Sequence, residues 1–279
     1  MIKTFYIVII ALLVVSTSVV NADAYGDVQK YTEQINKNPN DSIAYNNRGV
    51  AYAELEQYEP AIQDLSKAIE LNPNNYMSYL LRGVIYGKLK QYEKAFFDFS
   101  MAIQLNPTNS MAYVGLGDAF NELRQYEKAI IFFNKAIELD PNDYFTYKHR
   151  GNSYRNLKQL ELAISNYNKA LQIKPDDFEV YFNRGLAYLN LNQIDKSIQD
   201  FDYSIKLNPN YAMLHSTRAA AYGILGDLNK ALSDAKKAIE LDPNFLKGYE
   251  LLGIIYRELG DNEKSQFYFT KYRELGYRN

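Results

Sequence analysis

The 279-residue chain contains no cysteine, which removes disulfides, thiolate metal sites, cysteine nucleophiles and a lipid carried on an N-terminal cysteine. Histidine is almost as scarce: His149 and His215 are the only two, too few for a multi-histidine metal site. Neither sign of charge dominates. Lys and Arg number 31 against 33 Asp and Glu, a net charge of −2, which excludes a nucleic-acid binder relying on bulk positive charge. No glycine-rich phosphate loop, zinc-protease helix motif, nucleophile elbow or Ser–His–Asp set can be assembled. The expectation is therefore no metal, no cofactor and no catalytic residue. With 47% hydrophobic and 23% charged residues the chain is ordinary globular protein, neither disordered nor a polytopic membrane protein.

Long apolar runs are also missing, except at the front. Lys3 is followed by an uncharged stretch from Phe5 to Val20 and then Asn21-Ala22-Asp23-Ala24. One positive charge, a short apolar core and small residues two apart have the form of a secretory signal peptide over residues 1–24, cleaved after Ala24 or Ala22. This places the mature protein in a periplasmic or extracellular compartment, with no stable membrane span after cleavage. The alternative is an uncleaved N-terminal anchor.

What the chain has in abundance is period. Pro39, Pro73, Pro107, Pro141, Pro175, Pro209 and Pro243 recur every 34 residues, and only Pro60 of the eight prolines falls outside the series. Gly49, Gly83, Gly117, Gly151, Gly185 and Gly253 keep the same step, with Ala219 standing in once. One aromatic column runs through Tyr52, Tyr86, Phe120, Tyr154, Tyr188, Tyr222 and Tyr256; another runs through Tyr45, Tyr79, Tyr113, Tyr147, Tyr181, His215 and Tyr249. Each period reads as two helices. In the first, Tyr45, Gly49, Tyr52 and Leu55 share a face; in the second, Ala61, Leu65, Ala68 and Ile69 do. A mid-helix glycine costs about 1 kcal/mol against alanine, so its recurrence requires close packing by the partner helix. The proline ends the second helix, and the Asn and Asp around it cap the next.

These columns resemble the tetratricopeptide repeat family, whose pattern is aromatic, Leu-Gly, Tyr, then Ala, Phe, Ala and Pro. The resemblance covers residues 42–75, 76–109, 110–143, 144–177, 178–211, 212–245 and 246–279, seven repeats, with 25–41 as an N-terminal half-repeat covering the first. It implies an all-α fold, a right-handed superhelical solenoid whose first helices line a concave groove that binds a protein or peptide segment. Two departures stand out. Where the family has leucine before the glycine, this chain has Arg48, Arg82, Arg150, Arg184 and Arg218, and in those five units the second helix carries Asp64, Asp98, Asn166, Asp200 and Asp234. The other two units combine Leu116 with Phe132 and Leu252 with Tyr268. The reading is an arginine–acceptor pair inside each repeat, because a buried guanidinium needs an acceptor; the alternative is an arginine ladder for phosphate or sulfate. In the last unit Phe267, Phe269 and Tyr272 either fold back on the preceding helix or form a self-association surface, which would make the protein a homo-oligomeric subunit of an envelope or secretion assembly.

Tyrosine abundance is no guide to a ligand, because 15 of the 26 tyrosines fall in three repeat columns. The groove positions left after the packing columns are removed begin with an apolar patch, Met77, Leu80, Leu81 and Val84. A basic and amide stretch follows at Lys148, His149, Asn152 and Arg155, and then Phe182 and Asn183. By the resemblance, Lys148, Asn152 and Asn183 match part of a clamp for a partner's C-terminal carboxylate. Met213 and Thr217 stand where two further basic residues belong, which leaves a half-clamp. The expected activity is equilibrium binding of a protein or peptide partner, with an enzyme or polysaccharide-binding protein as the remaining alternative.

Overall fold

The computed structural model describes residues 22–276, and the expected signal peptide lies outside the described residues except for its last three. Ala24, one expected cleavage position, is buried near the start of the first helix. Fifteen α-helices and no strands occur among the described residues. α1 (Ala22–Lys37) stands alone before seven pairs. The first three pairs are α2 (Ser42–Glu54) with α3 (Tyr58–Leu71), α4 (Tyr76–Lys88) with α5 (Tyr92–Leu105), and α6 (Ser110–Glu122) with α7 (Tyr126–Leu139). The next two are α8 (Tyr144–Asn156) with α9 (Leu160–Ile173), and α10 (Phe178–Asn190) with α11 (Ile194–Leu207). The last two are α12 (Ala212–Leu225) with α13 (Leu228–Leu241), and α14 (Leu246–Glu258) with α15 (Asn262–Gly276). The chain divides into two compact units at Pro141/Asn142, and within each unit every helix packs on its neighbours in sequence, the arrangement of an all-α helical-repeat solenoid.

The periodic residues each have a physical task. A Cβ placed on Gly151 would stand 2.7 Å from Tyr167 Cε1, and one on Gly185 would stand 2.6 Å from Phe201 Cε1. The glycine column is thus the floor on which a large side chain of the second helix lies, and Leu65, Phe99, Phe133, Tyr167 and Phe201 are all essentially inaccessible. Burial of each such side chain contributes about 1.5–3 kcal/mol. The tyrosine and proline columns meet as well. Tyr113 Oη donates to the Pro107 carbonyl (3.2 Å) and Tyr249 Oη to the Pro243 carbonyl (3.0 Å), while His215 keeps the same link through Nε2 (2.9 Å to Pro209 O).

The arginine column is a double staple. Nε and Nη2 of Arg48, Arg82, Arg184 and Arg218 donate to both oxygens of Asp64, Asp98, Asp200 and Asp234, at 2.6–2.8 Å. Nη1 of the same arginines reaches the preceding second helix, at Thr32, Ser66, Asn168 and Asp202. Each guanidinium therefore ties three consecutive helices. Thr32 belongs to α1, so α1 meets Arg48 as α3 meets Arg82 and stands in for the second helix of a preceding pair. Where the arginine is missing, Leu116 shares an apolar cluster with Phe132, and Leu252 shares one with Tyr268.

The last pair closes by folding back. Phe269 lies on Gly253, Tyr268 stacks on Tyr256 at 5.4 Å, and the buried Ser265 hydroxyl donates to the Gly253 carbonyl (2.8 Å). Phe267 remains exposed.

Candidate functional site

In the first unit the expected apolar patch is core. Leu80 and Leu81 are fully buried, Val84 nearly so, and Met77 packs half-buried against the same cluster. These four pack α4 into the core of the first unit. The spacing that puts them on one face of α4 is real; burial of that face by neighbouring helices could not be read from a single repeat.

In the second unit the candidate residues have three different fates. Lys148 is buried, and its ammonium donates to Asp177 (3.0 Å to Oδ2) and to Glu179 Oε2. Asp177 at the same time caps α10, accepting from the Glu179 and Val180 amides at 2.9 and 3.2 Å. Burial pushes the Lys148 ammonium down, but the hydrogen bond to Glu179 and the charge of Asp177 outweigh it and hold it above its ordinary value. Lys148 is thus a staple between α8 and the start of α10. The ammonium of the expected half-clamp is met by two carboxylates of the chain itself.

Asn152, Arg155 and Tyr167 form a second group. The Tyr167 hydroxyl donates to Asn152 Oδ1 at 2.8 Å. Burial pushes the phenol upward, with Arg155 opposing. Arg155 Nε is buried without a hydrogen-bond acceptor. Spacing alone does not single out Tyr167; its signal is that tyrosine replaces the phenylalanine found in this column at 99, 133 and 201, adding one hydroxyl beneath α8. His149 is half-buried beside Phe145, edge to face at 6.3 Å.

The third group lies on α10. Phe182 packs against Phe201 with centroids 5.8 Å apart, and Phe182, Leu186 and Leu189 are half-buried over the cluster built on Ile198 and Phe201. Asn183, next to Phe182, is half-buried too. Their helical spacing continues on α10 the face that Asn152 and Arg155 occupy on α8. This face offers guanidinium and amide donors beside partly exposed aromatic and aliphatic surface, a combination suited to an extended segment with a polar end.

Sequence profiles for the tetratricopeptide repeat match residues 42–75, 76–109, 110–143 and 178–211, and related profiles of the same description match 132–165, 215–245 and 235–267. A TPR repeat profile covers 151–192. The chain belongs to the tetratricopeptide repeat family. No curated protein sequence matches it. Among solved structures, MamA is 24% identical over 58% of this chain and 95% of its own, with a TM-score of 0.56. YrrB, titled a TPR protein with an unusual peptide-binding site, is 24% identical over 70% of this chain and 96% of its own, at 0.54. Pseudomonas aeruginosa pilF is 18% identical over 73% and 97%, at 0.62. Identities this low establish a shared tetratricopeptide fold. Among the described residues no cluster of potential metal ligands occurs, and no helix is long and apolar enough to cross a membrane.

Proposed function

We propose that this tetratricopeptide repeat protein is an exported, non-catalytic scaffold that binds a protein or peptide segment along the first helices of its second unit. The observation that carries the reading is the contrast between the same helix face in the two units. It is core at Leu80, Leu81 and Val84, but partly open at Asn152, Arg155, Phe182, Asn183 and Leu186, with a buried guanidinium nitrogen lacking an acceptor at Arg155. Export rests on the signal-like form of residues 1–24. A partner's acidic group would meet Arg155 and the amides of Asn152 and Asn183 rather than Lys148, whose charge is answered internally.

The test is a peptide library displayed with free and with amidated C-termini, screened against wild type and Arg155→Ala/Asn183→Ala, each checked for an unchanged helical melt. Peptides retained by wild type and lost by the variant support the site. Loss on amidation assigns the recognised group to the terminal carboxylate; retention assigns it to side chains. Peptides retained equally by both proteins place binding elsewhere and overturn the reading.

A further inference from the structure

In the second unit one first-helix position recurs as Arg155, Leu189, Gly223 and Arg257, each 34 residues after the last. Stacked repeats present equivalent positions side by side, so these four form a row along the proposed groove, from α8 through α10 and α12 to α14. The residues three earlier widen it, with Leu186, Ala220 and Ile254 following Asn152. None of these residues is buried. The row has a cation at each end and an apolar middle.

The middle is open. A Cβ on Gly223 would meet nothing within 4 Å, and Ile224 beside it is 60% exposed. Every other repeat carries Glu, Lys or Asn where Ile224 stands, as Asn156, Asn190 and Glu258 do in this unit. At one end Arg155 Nε is buried without an acceptor. At the other, Arg257 and its neighbour Glu258 lie 3.9 Å apart with both side chains 59% exposed, a loose pair that a further carboxylate can share. The step along the row sets the partner's period. First helices touch directly at α8–α10 and at α12–α14, and packed helices lie about 8–10 Å apart. A polyproline II segment turns once in about 3 residues and rises about 3.1 Å per residue, a pitch of about 9 Å that matches this step. Its side chains at every third residue then face the groove, one to each repeat. A β-strand does not fit in this way, because residues three apart point to opposite sides.

On the groove reading proposed above, on which this rests, we infer that the partner is an extended protein segment in the polyproline II conformation, with an acidic residue at each end and apolar residues at a three-residue step between them. The acids meet Arg155 and Arg257. The apolar side chains lie on Leu189 and, over the Gly223 floor, against Ile224. Charge complementarity selects this occupant, since a cation at each end of an apolar track matches the order acid, apolar, apolar, acid. Polyproline II leaves its own backbone groups without internal hydrogen bonds, and the partly or fully exposed amides of Asn152, Asn183 and Asn190 supply partners for them.

The probe is an N-acetylated, C-amidated peptide with glutamate at both ends, leucine and phenylalanine at the three-residue step between them, and proline and serine as spacers. A control of the same composition has the leucine and the phenylalanine each moved outward by one position. Both are titrated calorimetrically into wild type, Gly223→Leu/Ile224→Asn and Arg155→Ala/Asn183→Ala. The first variant gives α12 the pair that α10 already carries at Leu189 and Asn190, so the fold tolerates it, and an unchanged helical melt checks this. Wild type is expected to bind the probe about tenfold more tightly than the control, with affinity falling as salt rises. Gly223→Leu/Ile224→Asn should weaken the probe about tenfold, because it fills the floor and removes the apolar wall. Equal affinity for probe and control, or for the probe in wild type and this variant, overturns the inference. If such binding is still lost in Arg155→Ala/Asn183→Ala, the groove reading stands without it. No binding of the probe also overturns the inference, while the library screen, which presupposes no period, judges the groove separately.

Discussion

Each arginine that replaces the family leucine brings a charge close to the core, and the chain tolerates it because the acceptor is supplied by the same repeat. Asp98 is 1% exposed and Arg82 15% in side-chain area, so removing one partner strands the other in a poorly solvated site. Asp98→Ala is expected to destabilise by about 3 kcal/mol, because the cost of breaking a buried pair is set by the charge left behind. Changing both members to the apolar solution used at Leu116 and Phe132, as Arg82→Leu/Asp98→Phe, should recover most of that loss. Denaturant unfolding of the wild type, Arg82→Leu, Asp98→Phe and the double variant gives the cycle, with Asp98→Ala measured alongside; a double variant as unstable as Asp98→Ala would show that the two solutions are not interchangeable. The pairing itself was legible in sequence, since arginine and its acceptor change together from repeat to repeat. The third arm was not. Thr32, Ser66, Asn168 and Asp202 are four different side chains with only a hydroxyl or side-chain oxygen in common, and no residue-type column marks them.

At the scale of the helix pair, seven turns share one backbone and use two chemistries. Glu56, Lys90, Arg124, Lys158 and Asn192 have φ of 57–59°, and Gly226 and Gly260 occupy the same left-handed place at 85° and 79°. In the Lys90 turn the Gln91 amide bonds back to Tyr86 O and the Lys90 amide to Gly87 O, the paired closure that ends many helices on glycine. A non-glycine residue there costs about 1–2 kcal/mol in backbone strain. The five strained turns are followed by a glutamine that does not cap the second helix, while Asp227 and Asp261 accept from the Lys230 and Lys264 amides at 3.1 Å. Gln91 Oε1 is, in addition, buried without a donor. Lys90→Gly/Gln91→Asp converts this turn to the glycine-aspartate form, with Lys94 three residues on as Lys230 is from Asp227. It should stabilise by about 1–2 kcal/mol, seen as a melting temperature higher by a few degrees. Lys90→Gly alone should deliver part of the gain; no gain from either would mean that strain at this turn is already relieved. The turn was illegible in sequence because only two of the seven repeats announce it with glycine, and side chains that merely tolerate the conformation carry no signal.

Over the whole molecule, helix count and repeat phase followed from the proline, glycine and tyrosine columns, since each column is a contact within or between adjacent repeats. The surroundings of single first-helix positions followed less well. Lys148 and Leu80 occupy equivalent positions in their repeats, and whether such a position is open, buried or answered by a carboxylate depends on the neighbouring repeat, as Glu179 does for Lys148. The tyrosines that fill these columns also set how the molecule responds to alkali. Burial pushes the phenols of Tyr58, Tyr92, Tyr144, Tyr167, Tyr222 and Tyr268 upward, and Tyr144, beside Asp177, is pushed up to about 12. An unfolded tyrosine loses its proton near about pH 10, so above that the unfolded chain binds fewer protons than the folded one. The stabilisation is therefore complete below about pH 10 and is lost as pH rises through the folded values, which for Tyr144 spans about 10 to 12. Melting temperature should be flat up to about pH 9 and fall steeply above about pH 10. Phenolate absorbance should rise later than in free tyrosine and jump at unfolding. Tyr144→Phe, which keeps the ring and removes the titrating hydroxyl together with its contact to Lys174, should make the fall shallower; an unchanged slope would assign the alkaline loss to the other tyrosines.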